Sequence, residues 1–390
     1  MKTFQYALIQ IFHCILICVI TGYATVFLLD KQFSNTIIGT VLSLGNVLGV
    51  FLQQVVATWV DNSKGKITAR QVVMTLFVVM SVLSVVLSFL KQPTILFLII
   101  FVLIVTAMGV LPPFISALIF DFEKQGIKIN FGLARGMGSA SYALTSLIMG
   151  NLTATYGTQW LPYSYILLSI IATMCVFTFK TSIPAEDELD TSNQEEVERQ
   201  SKNFFSKYPL LTKTLVAVVL IFFGFNLTNS YLFQIVTNVG GNQSHLGIAM
   251  FIGAIVELPA MAICNKLSKK IGQYNIMTIS AIFFGVKHTL LWLAPNLTII
   301  YIAQLVQFFS YAFFLPTSVF LVSDNVEDVD AMKGQALMTG AISVGGVVAS
   351  AIGGVLLDKI GVSSTLFCAT AVSWIGSILL IMTMVRMSKK

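Results

Sequence analysis

Charge is what this sequence has least of. It carries 17 acidic and 23 basic side chains in 390 residues, so 10% of the chain is charged against 56% hydrophobic. A soluble domain carries about 25% charge, and a polar skin over a chain of this length is excluded. Histidine is scarcer still, with three residues, and no metal cluster or Ser/His/Asp set gathers in one compartment. The five cysteines (Cys14, Cys18, Cys175, Cys264, Cys368) lie inside apolar runs, without metal-ligand spacing and away from the loops that a disulfide framework would staple. A phosphate-binding glycine loop is absent too, so no cofactor, no metal and no enzyme activity is expected. The net charge of +6 sits in short loops rather than in one patch, which argues for membrane topology and against nucleic acid.

What the chain has in place of charge is long apolar runs, such as 72–90 and 95–120. Stretches of about 18 residues or more read as bilayer-spanning helices. Twelve spans are expected, near 4–29, 36–59, 69–90, 94–120, 132–155, 161–179, 209–238, 246–265, 275–293, 297–322, 334–357 and 364–385. The first run is too long for a cleavable signal and lacks a small-residue cleavage site. Lysine and arginine set the orientation. With the amino terminus in the cytoplasm, 19 of them fall inside, only Lys31, Lys91 and Lys359 fall outside, and Lys287 is left within a span.

One long polar segment, 180–208, holds Glu186, Asp187, Glu188, Asp190, Glu195, Glu196 and Glu198. Such composition reads as a cytoplasmic linker. It divides an amino-terminal six-helix bundle, 1–179, from a carboxy-terminal one, 209–390. The halves share landmarks at an offset of 204: Leu111-Pro112 and Leu315-Pro316, Gly136 and Gly340, Ser139 and Ser343, Ser146 and Ser350, Gly150 and Gly354, Gly157 and Gly361, and also Gly49 and Gly253. Glycine and proline fix backbone geometry, so shared positions imply shared bends. Parallel six-helix repeats are a transporter architecture.

With these features the sequence resembles the major facilitator superfamily. Its loop signature, a Gly followed four residues later by Asp and then a basic residue and Gly, is complete at Gly354, Asp358, Lys359 and Gly361. A reduced form around Asp61, Lys64 and Gly65 follows span two. The resemblance implies a gating role for Asp61, Gly65, Gly354, Asp358 and Gly361. A narrower likeness is to the oligosaccharide and nucleoside proton symporters of the lactose permease group. The segment Asn130-Phe131-Gly132-Leu133-Ala134-Arg135 is similar to the one entering their fifth span, which implies a solute-binding role for Arg135. The chain departs from that group at Ala117, Gln304, Gln307 and Ser310, where the permease has ionisable residues. Lactose specificity is therefore not implied.

An ionised side chain at membrane depth costs roughly 2.5–3.5 kcal/mol, so each needs a partner or a task. Glu257 and Lys287 lie equally far from Gly272 on consecutive antiparallel spans, and a rise of about 1.5 Å per residue brings both to the middle of the bilayer. They are expected to pair, either to lock two helices or to carry a proton. His13 shares a helical face with Tyr6 and Gln10 and is either a packing residue or a proton carrier. His288 should point about 100° away from Lys287. Asn226, Asn229 and Tyr231 in span seven, with Gln304 and Gln307 in span ten, offer neutral hydrogen-bonding groups to a hydroxyl-rich solute. Tyr23, Trp59 and Trp292 fall at depths where aromatic rings anchor the interface.

These features lead to a secondary transporter in the cell membrane, a functional monomer in the lipid bilayer with both termini cytoplasmic. It would take up a small-molecule substrate, an oligosaccharide or a nucleoside, together with a coupling proton. Proton-driven drug efflux on the same fold is the alternative reading. Cysteines introduced at 62–66 and at 124–128 should label from the same side in sealed vesicles. Labelling from opposite sides would overturn the span order.

Overall fold

The computed structural model describes residues 2–63, 66–90, 92–119, 129–179 and 204–389. Every regular element among them is helical. In chain order these are α1 (Lys2–Ile17), a π-helical turn (Cys18–Gly22), α2 (Ala24–Asp30), α3 (Asn35–Asn62), α4 (Ala69–Phe89), α5 (Ile95–Ala117), α6 (Phe131–Tyr156) and α7 (Trp160–Thr178). After the segment around 180–203 come α8 (Phe204–Lys207), α9 (Pro209–Ser230), α10 (Leu232–Asn238), α11 (Gln243–Ile271), α12 (Gln273–Trp292), α13 (Leu297–Leu305), a short 3-10 turn (Val306–Phe308), α14 (Tyr311–Asn325) and α15 (Asp328–Met387).

Among the described residues, nine helical segments are long and apolar enough to cross a membrane. The protein is a multi-pass membrane protein. Two further long helices fall outside that set: α6, diluted by Gly and Ser, and α12, which carries Lys287 and His288. The sixty-residue α15 holds one residue with non-helical backbone, Gly361, at φ 77° and ψ 176°. Gly157, its equivalent 204 residues earlier, follows α6 at φ 85°. The turn is the same in both halves, and only glycine adopts it without strain.

Local sequence sets the helix starts. Ser34, Thr94, Asn130 and Asn296 each accept a hydrogen bond from the backbone three residues on, at 3.3, 3.3, 3.0 and 3.2 Å. Thr68 and Gln71 form a reciprocal capping box at the start of α4.

The chain divides into two compact units: Met1–Ile183, Ser230–Ile255 and Ser350–Gly361 in the first, and Pro184–Asn229, Val256–Ala349 and Val362–Lys390 in the second. In the first, α1 crosses α6 closely. Gly138 lies against the Gln10 backbone, and Ser141 donates to the Ile11 carbonyl at 3.2 Å. Arg70 donates to the terminal carbonyls of α7, Val176 at 3.1 Å and Phe177 at 2.7 Å, where a cation also suits the helix dipole. In the second, Phe222 is the hub of an aromatic core with Phe225, Phe284 and Phe314. There Lys207 pairs with Glu327 and Asp330, while the Tyr208 hydroxyl donates to Asp330 and accepts from the Glu327 amide. These partners hold the Lys207 ammonium above its ordinary pKa, Glu327 contributing most.

Gly361→Ala should lower the melting temperature in detergent, since the left-handed backbone costs roughly 1–3 kcal/mol with a side chain present. Gly340→Ala, with open space around it, should hold or raise it by the roughly 1 kcal/mol difference in helix propensity. Equal effects of the two substitutions would refute the assignment.

Candidate functional site

A polar chain runs through the apolar interior of the second unit. Lys287 is fully buried and donates its ammonium to Gln307 Oε1. The Gln307 amide nitrogen in turn donates to Glu257 Oε1 at 2.5 Å. The Lys287 Nζ also lies 4.9 Å from the centroid of the Phe225 ring, which stacks on Tyr311 at 4.8 Å with planes only 7° apart. Glu257 and Lys287, expected to pair, are thus linked through a third residue. Gln307, expected at a solute site, bridges the two, and its amide can satisfy an acid and an amine at once only in this orientation.

A break in the helix makes this possible. α13 stops at Leu305, the chain tightens through Val306–Phe308, and α14 restarts at Tyr311. Ser310, in the break, has ψ −91°. Broken backbone at membrane depth needs new partners, and Ser280 on α12 supplies one by donating to the Ser310 carbonyl at 2.8 Å. Gln304, one turn before the bridge, is 2% exposed, and its amide nitrogen has no hydrogen-bond partner. Asn226 donates to its own helix at Phe222 and lies beside Gly346, whereas Asn229 is exposed. His288 points away from the chain, as its helical position implied, and its Nδ1 pairs with Ser373 Oγ at 2.7 Å.

The first unit holds the other candidates. Gln10 donates to the Tyr6 hydroxyl at 2.7 Å. His13 is 5% exposed with Nε2 unpartnered, and Arg135 is exposed. Among the described residues no three His, Cys, Asp or Glu side chains converge as a metal site would need. A hollow of about 560 Å³, lined by Phe27, Lys31, Leu87, Trp160 and Tyr163, contains none of the predicted site residues.

Two tyrosines depart from expectation. Tyr231 is fully buried, and its hydroxyl donates to the Ser350 carbonyl at 2.6 Å, so it is committed to the protein rather than open to a solute. Tyr23 is fully buried as well and donates to the Ser146 carbonyl at 2.6 Å. It is no interface anchor, because a ring at that position is enclosed by α6 and α11. Trp59 is 60% exposed, as an anchor would be, and Trp292 packs on Phe367. Of the loop-signature residues, Asp358 accepts from the Asn35 amide and side chain at 3.2 and 2.9 Å and from the Thr36 amide and hydroxyl at 2.7 Å each. Gly354 lies against Asn35 and Tyr231, Asp61 is exposed, and Gly65 lies outside the described residues.

Discontinuous helices beside a polar site are a feature of many membrane transporters, and the sequence agrees. The MFS_1 like family model matches residues 4–369. The chain belongs to that family. It is 23% identical over 342 residues to the maltose permease of Geobacillus stearothermophilus, covering 85% of this chain and 81% of the permease. It is also 26% identical over 193 residues to the uncharacterized transporter YwbF of Bacillus subtilis (strain 168), where the match covers 48% of this chain and only 46% of that protein. Among solved structures, the nucleoside transporter NupG aligns over 100% of both chains with a TM-score of 0.82 at 14% identity, a likeness of fold.

Breaking the bridge should strand a charge. Glu257→Gln, Lys287→Met and Gln307→Leu should each destabilise the protein by roughly 3–5 kcal/mol, read as a loss of thermal stability in detergent. The double variant Glu257→Gln/Lys287→Met should recover part of that loss. Strict additivity of the two single effects would show that the residues act independently.

Proposed function

We propose that this chain is a secondary transporter that moves a small, neutral, hydroxyl-rich solute of the oligosaccharide or nucleoside class, with proton-coupled uptake by alternating access. The reading gives the protein twelve spans in two six-helix repeats, 1–179 and 209–390, joined by the cytoplasmic linker 180–208. It works as a monomer in the cell membrane with both termini in the cytoplasm.

The observation that carries the proposal is the Glu257–Gln307–Lys287 chain. An acid and an amine joined through one amide form a unit in which any change of protonation disturbs three helices at once. An ion drives transport only if it binds one conformation better than another, and a half-buried acid, tied to a fully buried amine through a residue on a broken helix, meets that need. Glu257 is the proposed proton carrier, with Lys287 holding its position and His13 as a second candidate. For the solute, the unpartnered amide nitrogen of Gln304, the exposed Asn229 and Asn226 are the proposed neutral donors and acceptors of the second unit, and Arg135 is a separate candidate in the first. The names of the maltose permease and the nucleoside transporter agree with a hydroxyl-rich cargo.

The test is uptake into proteoliposomes with an imposed pH gradient, using labelled maltose and uridine as first probes. Inward flux that rises when the outside is acid and falls at least ten-fold in Glu257→Gln supports the proposal. Outward extrusion of a lipophilic dye, with no uptake of either probe, would replace it with drug efflux.

A further inference from the structure

Beyond the buried chain, the first unit contains two copies of one construction. In the first copy, Tyr23 stands at the break between the π-helical turn and α2, and its hydroxyl donates to the Ser146 carbonyl on α6 at 2.6 Å. There α6 crosses α11. Ser146 Oγ donates to the Gly247 carbonyl at 3.1 Å, and a methyl group added to Gly150 would lie 3.0 Å from the Gly247 Cα and 3.1 Å from the Tyr23 hydroxyl. In the second copy, Tyr231 stands at the break between α9 and α10 and donates to the Ser350 carbonyl on α15, also at 2.6 Å. There α15 crosses α3. A methyl group on Gly39 would strike the Ser350 carbonyl and the Tyr231 hydroxyl, and one on Gly354 would lie 2.9 Å from that hydroxyl. Ser146 and Gly150 become Ser350 and Gly354 by adding 204, and Tyr23 and Gly39 become Tyr231 and Gly247 by adding 208.

Each crossing therefore joins a helix of one sequence half to a helix of the other, with a tyrosine hydroxyl at the contact. Both hydroxyls are committed to the crossings, at the Ser146 and Ser350 carbonyls. Close approach of glycine-bearing helices gives contact area but little directionality in lipid. A buried hydroxyl that meets a single carbonyl adds the directionality, because separating the helices exposes the pair to loss.

One difference between the copies bears on how firmly each is held. Asp358 takes four hydrogen bonds from Asn35 and Thr36, the first residues of α3, where amides lack helical partners and negative charge is favoured. The equivalent residue of the other copy, 204 earlier, is Ala154.

We infer that Tyr23 and Tyr231 are paired positioning residues for transport, each holding one of these crossings shut, and that Asp358 makes the α3–α15 crossing the harder of the two to open. The inference rests on the alternating-access reading, in which a closed end must reopen once per cycle. Its first readout needs no transported solute.

Hydrogen–deuterium exchange of the full chain in nanodiscs reads local opening directly. Tyr23→Phe should raise exchange about five-fold, the worth of one hydrogen bond, in 143–153 and 243–250 only. Tyr231→Phe should do so in 35–42 and 347–357, and Asp358→Asn should act on the second pair of segments alone. In the wild type, 143–153 should exchange faster than 35–42. The melting temperature and exchange over 276–291 should stay at wild-type values in all three variants, which a general loss of stability would not allow. Unchanged exchange at the crossings, or a rise throughout the chain, overturns the inference. Proteoliposome uptake separates the two readings. Localised exchange with a wild type that transports nothing leaves the latches standing and removes the transport cycle. Normal uptake with unmoved exchange removes the latches alone.

Discussion

In hydrocarbon a polar atom finds its partner within the protein or goes without, and most of this structure follows from that constraint. A continuous helix satisfies its backbone internally. At two of the breaks another group takes over part of the task. Ser280 serves the break before α14, and Thr21 donates back to the Ile17 carbonyl in the π-helical turn. Tyr23 and Tyr231 sit at two further breaks, and their hydroxyls reach across to neighbouring helices. The breaks are thus the points at which separate helices become dependent on one another. For that reason the residues proposed for coupling and for opening lie beside them.

Much of this was legible in the sequence because apolar runs and lysine bias act locally. The nearness of Glu257 and Lys287 followed from counting residues to Gly272, and the matched backbone at Gly157 and Gly361 followed from their shared offset. Gln307 was visible as a polar residue in span ten, but its bridging position was not. The helix break that sets its direction has no proline at 306–310, and Pro316 lies well beyond it. The enclosure of Tyr23 is not legible in the sequence, because depth along a span says nothing about what encloses a ring sideways.

The repeat follows two registers, not one. Residues 39 and 247 answer each other at 208, whereas residues 112 and 316 do so at 204. The first half therefore spends four more residues between its second and fourth spans. A single-offset comparison finds the serines and glycines of α6 and α15 and passes over the tyrosines that bind them. By the same logic, the Gly49–Gly253 match belongs to a register that span two does not follow.

Both tyrosines are received by main-chain oxygens. Any residue at 146 or 350 presents the same carbonyl, so drift at those two sites leaves the acceptors intact. The burden of preservation falls on the donor ring and on the hydrogen-only positions that let it in. Such an arrangement frees the cargo-facing walls to change without retuning the closure, which suits a fold that serves many different solutes.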